Sequence, residues 1–184
     1  MLPFRLLYLL SDAVFFIVYY VIGYRKKTVR ENLALALPKL SSAERLIIEK
    51  KSFRHLCDMF LEIIKTMTIS KKEISERFSF SNLEVYQKVE EQNKSIAMMM
   101  AHYASYEWAI SMNAYASFSG YAIYKKIANP YFDKLVRNIR SRFKAYLITT
   151  KETVPTIINN KSNNLLAIYG FASDQSPKVS SAFH

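Results

Sequence analysis

The spacing of apolar and polar positions changes character twice along the chain. Leu6 to Tyr24 is almost wholly apolar, broken by Ser11 and Asp12. As a helix, the uninterrupted part from Ala13 to Gly23 reaches about half of a bilayer's hydrocarbon core. Extended back to Leu6 it is long enough to span, with Asp12 inside. Residues 1–24 therefore predict an uncleaved N-terminal membrane anchor, spanning or half-inserted, because no small-residue cleavage site follows them. A buried helix of a soluble domain is the alternative. Arg25, Lys26, Lys27 and Arg30 follow directly, a placement that keeps residues 25–184 on the cytoplasmic side.

From Lys27 the pattern is amphipathic. A short helix is expected up to Pro38, which cannot continue it. Ser41 and Glu44 then make a capping-box signature. The helix behind it runs to about Thr68, with Leu46, Phe53, Cys57, Phe60, Ile64 and Met67 on one apolar stripe.

From Phe78 short apolar runs alternate with amphipathic segments. Strands are predicted near Phe78–Phe80, Ile96–Ala101, Tyr121–Tyr124, Tyr146–Thr149 and Leu165–Gly170. Helices are predicted near Leu83–Glu91, Ser105–Ala116, Tyr131–Phe143 and Val154–Asn160. This alternation is the signature of an α/β fold with a mainly parallel sheet flanked by helices.

One junction stands out. Ile96 to Ala101 is short and uniformly apolar, so it reads as a strand buried on both faces. His102 follows at its carboxyl end, and Glu107 falls in the first turn of the next predicted helix. Ligands of open α/β sheets bind at that edge. A neutral imidazole there can take a proton from a hydroxyl, and a carboxylate on its other nitrogen fixes the tautomer.

Composition narrows the choices. The chain has 184 residues, enough for one domain with a core. Its single cysteine, Cys57, excludes an internal disulfide and sits at a core-type position. Three glycines are too few for a phosphate-cradling loop. The net charge of +11 calls for an anionic partner. No zinc spacing or RNA-binding aromatic pattern accompanies it, so a basic nucleic-acid-binding protein is the weakest reading.

Several short motifs occur in a fixed order: Arg30, Asn32 and Leu33 before Pro38; His102 and Glu107; Tyr124, Asn129, Pro130 and Asp133; Arg140, Arg142 and Phe143; and Asp174-Gln175-Ser176-Pro177. In this order they resemble the lipid A late acyltransferases, the lauroyl/myristoyl acyltransferase family within the glycerolipid acyltransferase superfamily. The resemblance implies a cytoplasm-facing enzyme of the bacterial inner membrane. It implies acyl transfer from a thioester, usually on acyl carrier protein, to a hydroxyl of a lipid A precursor or a related anionic glycolipid or phospholipid. His102 would be the general base and Glu107 its orienting carboxylate. Arg140 and Arg142 would contact the lipid phosphate, with Asp174 and Gln175 in positioning roles. No metal or cofactor is implied.

The chain also departs from the pattern. Ala104 and Ser105 stand where many members have Gly and Asn, Tyr106 replaces a usual Trp, and Lys144 replaces a frequent Gly. Family members usually continue beyond the Asp174 block, so a chain lacking the C-terminal third is expected. A membrane-anchored remnant that keeps the fold without catalysing is therefore the alternative function.

Overall fold

The computed structural model describes residues 2–175, in two units that divide between Thr68 and Ile69. In the first unit, helix α1 spans Phe4–Phe16 and continues as a π-helical stretch, Ile17–Ile22. Gly23 ends it at φ 66°, a left-handed conformation that glycine adopts without steric cost. The 19 residues Phe4–Ile22 are long and apolar enough to cross a membrane, with a mean hydropathy of 1.8. Phe4, Leu7, Ser11, Phe15 and Tyr19 are buried at helical spacing, while Leu9, Leu10, Phe16 and Val21 are exposed.

Helix α2 covers Lys26–Ala36 and stops short of Pro38. Helix α3, Ser42–Lys65, opens on the expected capping box: Ser41 Oγ accepts from the Glu44 N–H, and Glu44 Oε2 accepts from the Ser41 N–H at 2.8 Å. The apolar stripe of α3 divides. Phe53 and Cys57 pack with Phe15 and Tyr19, whereas Leu46, Phe60, Ile64 and Met67 are exposed. Buried acids on α3 are matched by donors from the rest of the unit. Glu49 accepts from Tyr19 Oη at 2.9 Å and from Arg30 Nε at 2.9 Å, and Glu62 accepts from Tyr8 Oη at 2.8 Å. The expected anchor thus packs into this unit through α3.

The second unit begins with α4, Lys71–Arg77, and α5, Leu83–Glu90. Four parallel strands follow: β1 Ile96–Met100, β2 Ser119–Tyr124, β3 Ala145–Thr149 and β4 Ala167–Ala172. Their order in the sheet is β1-β4-β2-β3. Helices α6, Pro130–Ser141, and α7, Thr153–Ser162, are the crossovers into β3 and β4. On one sheet face Ile148, Ala167 and Tyr169 form a buried cluster, against which Ile157 of α7 packs together with Tyr121, Ile123 and Phe171. The fold class is the expected one.

Four local expectations are corrected. Phe78–Phe80 is not a strand: its aromatic rings pack on each other (centroids 5.2 Å) and Phe80 on Tyr115 (5.8 Å), so side-chain packing replaces a backbone ladder. The helix expected over Ser105–Ala116 is a 3-10 helix, Tyr106–Ala114, since its mixed pattern offers no single apolar stripe. Strand β1 is half-buried on one face and exposed on the other, because it lies at the edge of the sheet and β4 occupies the middle. Finally, β4 starts two residues later than expected. The N–H of Leu165 still closes the end of α7 by donating to Asn160 O at 2.8 Å.

The two departures from glycine both fall on left-handed backbone, Ala104 at φ 48° and Lys144 at φ 59°. A side chain there costs roughly 1–2 kcal/mol, partly offset by the lower chain entropy of a non-glycine residue. Ala104→Gly and Lys144→Gly are each expected to raise stability by about 0.5–1 kcal/mol, read as an increased urea midpoint at unchanged slope. A loss of stability would mean that those side chains make compensating contacts.

Candidate active site

All four strands deliver residues to one edge of the sheet. Met100 leads to His102, Tyr124 to Lys125, Thr149 to Thr150, and Ala172 to Asp174. Because β4 inserts between β1 and β2, the His102 and Asp174 loops are neighbours although 72 residues apart. The ladder is prolonged by Ser173 N–H donating to Met100 O at 3.0 Å.

Asp174 holds His102 at two points. Its Oδ1 lies 2.8 Å from His102 Nδ1, and its Oδ2 accepts from the His102 backbone N–H at 3.1 Å. The hydrogen bond from the imidazole keeps the Asp174 carboxyl below its ordinary pKa, with slight burial opposing. An ionised carboxylate only accepts, so Nδ1 carries the proton and Nε2 keeps its lone pair. Both side chains remain about a third exposed, at 35%. The Tyr106 ring meets the imidazole edge-on, with centroids 4.8 Å apart, and braces it from the other side. Burial raises the Tyr106 phenol's pKa, and the charge of Glu107 adds to the rise, so it stays protonated.

Glu107 is not paired with His102, contrary to expectation. Both its oxygens face Arg140: Nε donates to Oε2 at 2.7 Å, and Nη2 donates to Oε1. The pair is largely buried, with side-chain exposures of 9% for Glu107 and 18% for Arg140. Burial works against the guanidinium charge, and the carboxylate outweighs it. The physical reason lies in the backbone. Ala104 turns the chain sharply, and the 3-10 helix carries Glu107 inward beneath α6, where Arg140 sits in the last turn. With two guanidinium nitrogens on Glu107, the fork expected to bind lipid phosphate is occupied. Arg142 is exposed and donates from Nη2 to Ile69 O at 3.1 Å. Gln175 is exposed and lines the cleft described below. Ser176 and Pro177 lie outside the described residues.

Tyr124, Asn129, Pro130 and Asp133 are structural. Asn129 Oδ1 caps α6 by accepting from the Tyr131 and Phe132 N–H groups, and Pro130 occupies the first helical position. Asp133 accepts from Ile127 N–H at 3.0 Å and from Tyr124 Oη at 3.3 Å. Arg137, which the motifs did not flag, donates to Tyr124 Oη at 2.7 Å.

The second sheet face opens into a cleft of about 510 Å3 with His102 at its rim. This lies within the size of small-molecule sites, roughly 300–1,000 Å3. Its walls are Met98, Met100, Ile110, Met112 and Ile168, and its floor is small: Gly120, Ala122, Ala145 and Gly170. A Cβ at Gly120 would lie 2.0 Å from Asn113 Oδ1, so a larger residue there must displace the Asn113 side chain. This lining suits an apolar ligand. Among the described residues, no group of three or more His, Cys, Asp and Glu side chains could hold a metal ion.

Comparison with known families gives one match. The profile of the bacterial lipid A biosynthesis acyltransferases covers residues 1–180. No individual curated protein matches the chain.

Proposed function

The chain belongs to the bacterial lipid A biosynthesis acyltransferase family, and we propose that it moves a fatty acyl group from a thioester, carried by acyl carrier protein, to a hydroxyl of a lipid A precursor at the cytoplasmic face of the inner membrane. His102 Nε2 removes the proton from the acceptor hydroxyl. The oxygen attacks the thioester carbonyl, forming the ester C–O bond as the C–S bond breaks. The departing thiolate takes the proton from the imidazolium. Asp174 fixes the reactive tautomer and supports the positive charge that develops on the ring. Glu107 and Arg140 pair with each other and hold the 3-10 segment against α6, a supporting rather than a catalytic role. The acyl chain lies in the apolar cleft, where each buried methylene contributes about 0.8 kcal/mol. A thioester is already activated, so no acyl-enzyme is needed, in keeping with the lack of a Gly-x-Ser-x-Gly elbow.

The observation that carries this reading is the 2.8 Å contact between His102 Nδ1 and Asp174 at the rim of an apolar cleft. The apolar stretch Phe4–Ile22 supports a membrane location. The test is transfer of a radiolabelled acyl group from acyl carrier protein to a lipid A precursor by folded protein in detergent micelles. Ester formation that depends on enzyme concentration is expected. A folded protein that binds the lipid and transfers nothing would favour the remnant reading.

A further inference from the structure

Lys125 is a cation free to take the phosphate-contacting role expected of Arg140. It follows β2 directly, is exposed, and lines the same cleft as His102. Of the lysines and arginines that line this cleft, Arg140 and Lys125, the first is neutralised by Glu107. Lys125 has no ion pair or hydrogen bond to another described residue. Asp174, next to the rim, faces His102. Of the two cations lining the cleft, Lys125 is therefore the one with no paired carboxylate among the described residues.

The loop that bears this charge is fixed. Before Lys125, Tyr124 O accepts from Thr150 N–H at 3.2 Å, and the Tyr124 ring is tied to Asp133 and Arg137. After it, Ile127 N–H is held by Asp133, and Asn129 caps α6. The exposed Thr150 hydroxyl stands on the neighbouring strand end, on the same cleft. A lysine on a flexible stem, rooted in a rigid loop beside a hydroxyl, suits a phosphate monoester.

We propose that Lys125, with Thr150 beside it, is the phosphate-binding group of this site and takes a phosphate of the lipid acceptor. This rests on the acyltransferase reading above. It places the acceptor headgroup over the ends of β2 and β3, across the cleft mouth from Asp174.

The test uses the full chain in detergent micelles and reads binding as well as turnover. Binding is measured to a phosphorylated lipid A precursor and to the same lipid after enzymatic dephosphorylation. Wild type is expected to prefer the phosphorylated lipid by about tenfold, Lys125→Ala to lose that preference, and Lys125→Arg to keep most of it. Lys126→Ala, which removes an adjacent charge acting on Glu152, should leave the preference intact. In turnover, Lys125→Ala should raise the acceptor KM about tenfold with kcat nearly unchanged. Binding needs no catalysis, so a protein that prefers the phosphorylated lipid through Lys125 but transfers nothing would sink the acyltransferase reading alone. Equal binding of both lipids by wild type would overturn the proposal. So would a loss on Lys125→Ala that follows the donor instead, appearing with acyl coenzyme A and vanishing with an acyl-N-acetylcysteamine thioester, which has no phosphate. A preference abolished equally by Lys126→Ala would reduce it to general surface charge.

Discussion

His102→Ala is expected to lower acyl transfer by about two to four orders of magnitude, the usual contribution of a positioned general base. The protein should remain folded, because the imidazole is exposed at the sheet edge and supports no core. Asp174→Asn is the sharper substitution. It keeps the size and one accepting oxygen, yet its amide can donate to Nδ1 and so favour the wrong tautomer, with Nε2 protonated. A comparable loss is expected, on the precedent of triads in which the same exchange leaves geometry intact. The double variant should be scarcely worse than His102→Ala alone, because the two groups act as a unit. The pH profile carries a second signature. The folded-state pKa of Asp174 is depressed, so its hold on His102 is complete at neutral pH and is lost as acid brings the pH down through that lowered value. Wild-type-like transfer by His102→Ala would remove the mechanism. A large effect of Glu107→Gln on a fully folded protein, with none for Asp174→Asn, would restore the pairing expected from the motif.

The second large effect is on stability. Glu107→Ala leaves the Arg140 guanidinium buried without its counter-charge, and Arg140→Ala does the same to the carboxylate. Removing one member of a buried pair costs about 3–5 kcal/mol, because the survivor has left water without compensation. Each variant should therefore unfold at a much lower urea concentration. Replacing both partners together, Glu107→Leu with Arg140→Met, should recover much of the loss, since no charge then stays buried. An exposed pair would behave otherwise, with changes below about 1 kcal/mol. Such small changes would refute the burial on which this rests. Weak activity in Glu107 variants thus needs a fold measurement before it is assigned to chemistry.

Much of this arrangement was legible in the sequence. Alternating β and α segments revealed the parallel sheet, and the abrupt end of Ile96–Ala101 put His102 at the edge where ligands bind. Asp174 could be placed near the same edge because it follows another apolar run. The partner of His102 was not legible. A spacing of five residues makes Glu107 the local choice, whereas strand order decides which loops touch, and order is set by packing between distant segments. The fate of Arg140 was hidden for the same reason: an arginine at a helix end looks solvated until the helix is laid over the 3-10 segment. The departures at Ala104 and Lys144 were more informative than a matched motif would have been. A residue standing where glycine is usual marks a left-handed turn, and both turns are present despite the side chains.

The central position of β4 has a consequence for the order of events during synthesis. Its neighbours, β1 and β2, leave the ribosome long before it does and cannot pair with each other across the vacant slot. The sheet closes only when the last of the four strands is threaded between them, a non-local step that is intrinsically slow. Asp174 arrives at the end of that same strand. The imidazole consequently has no carboxylate partner until β4 has been made and seated between its neighbours.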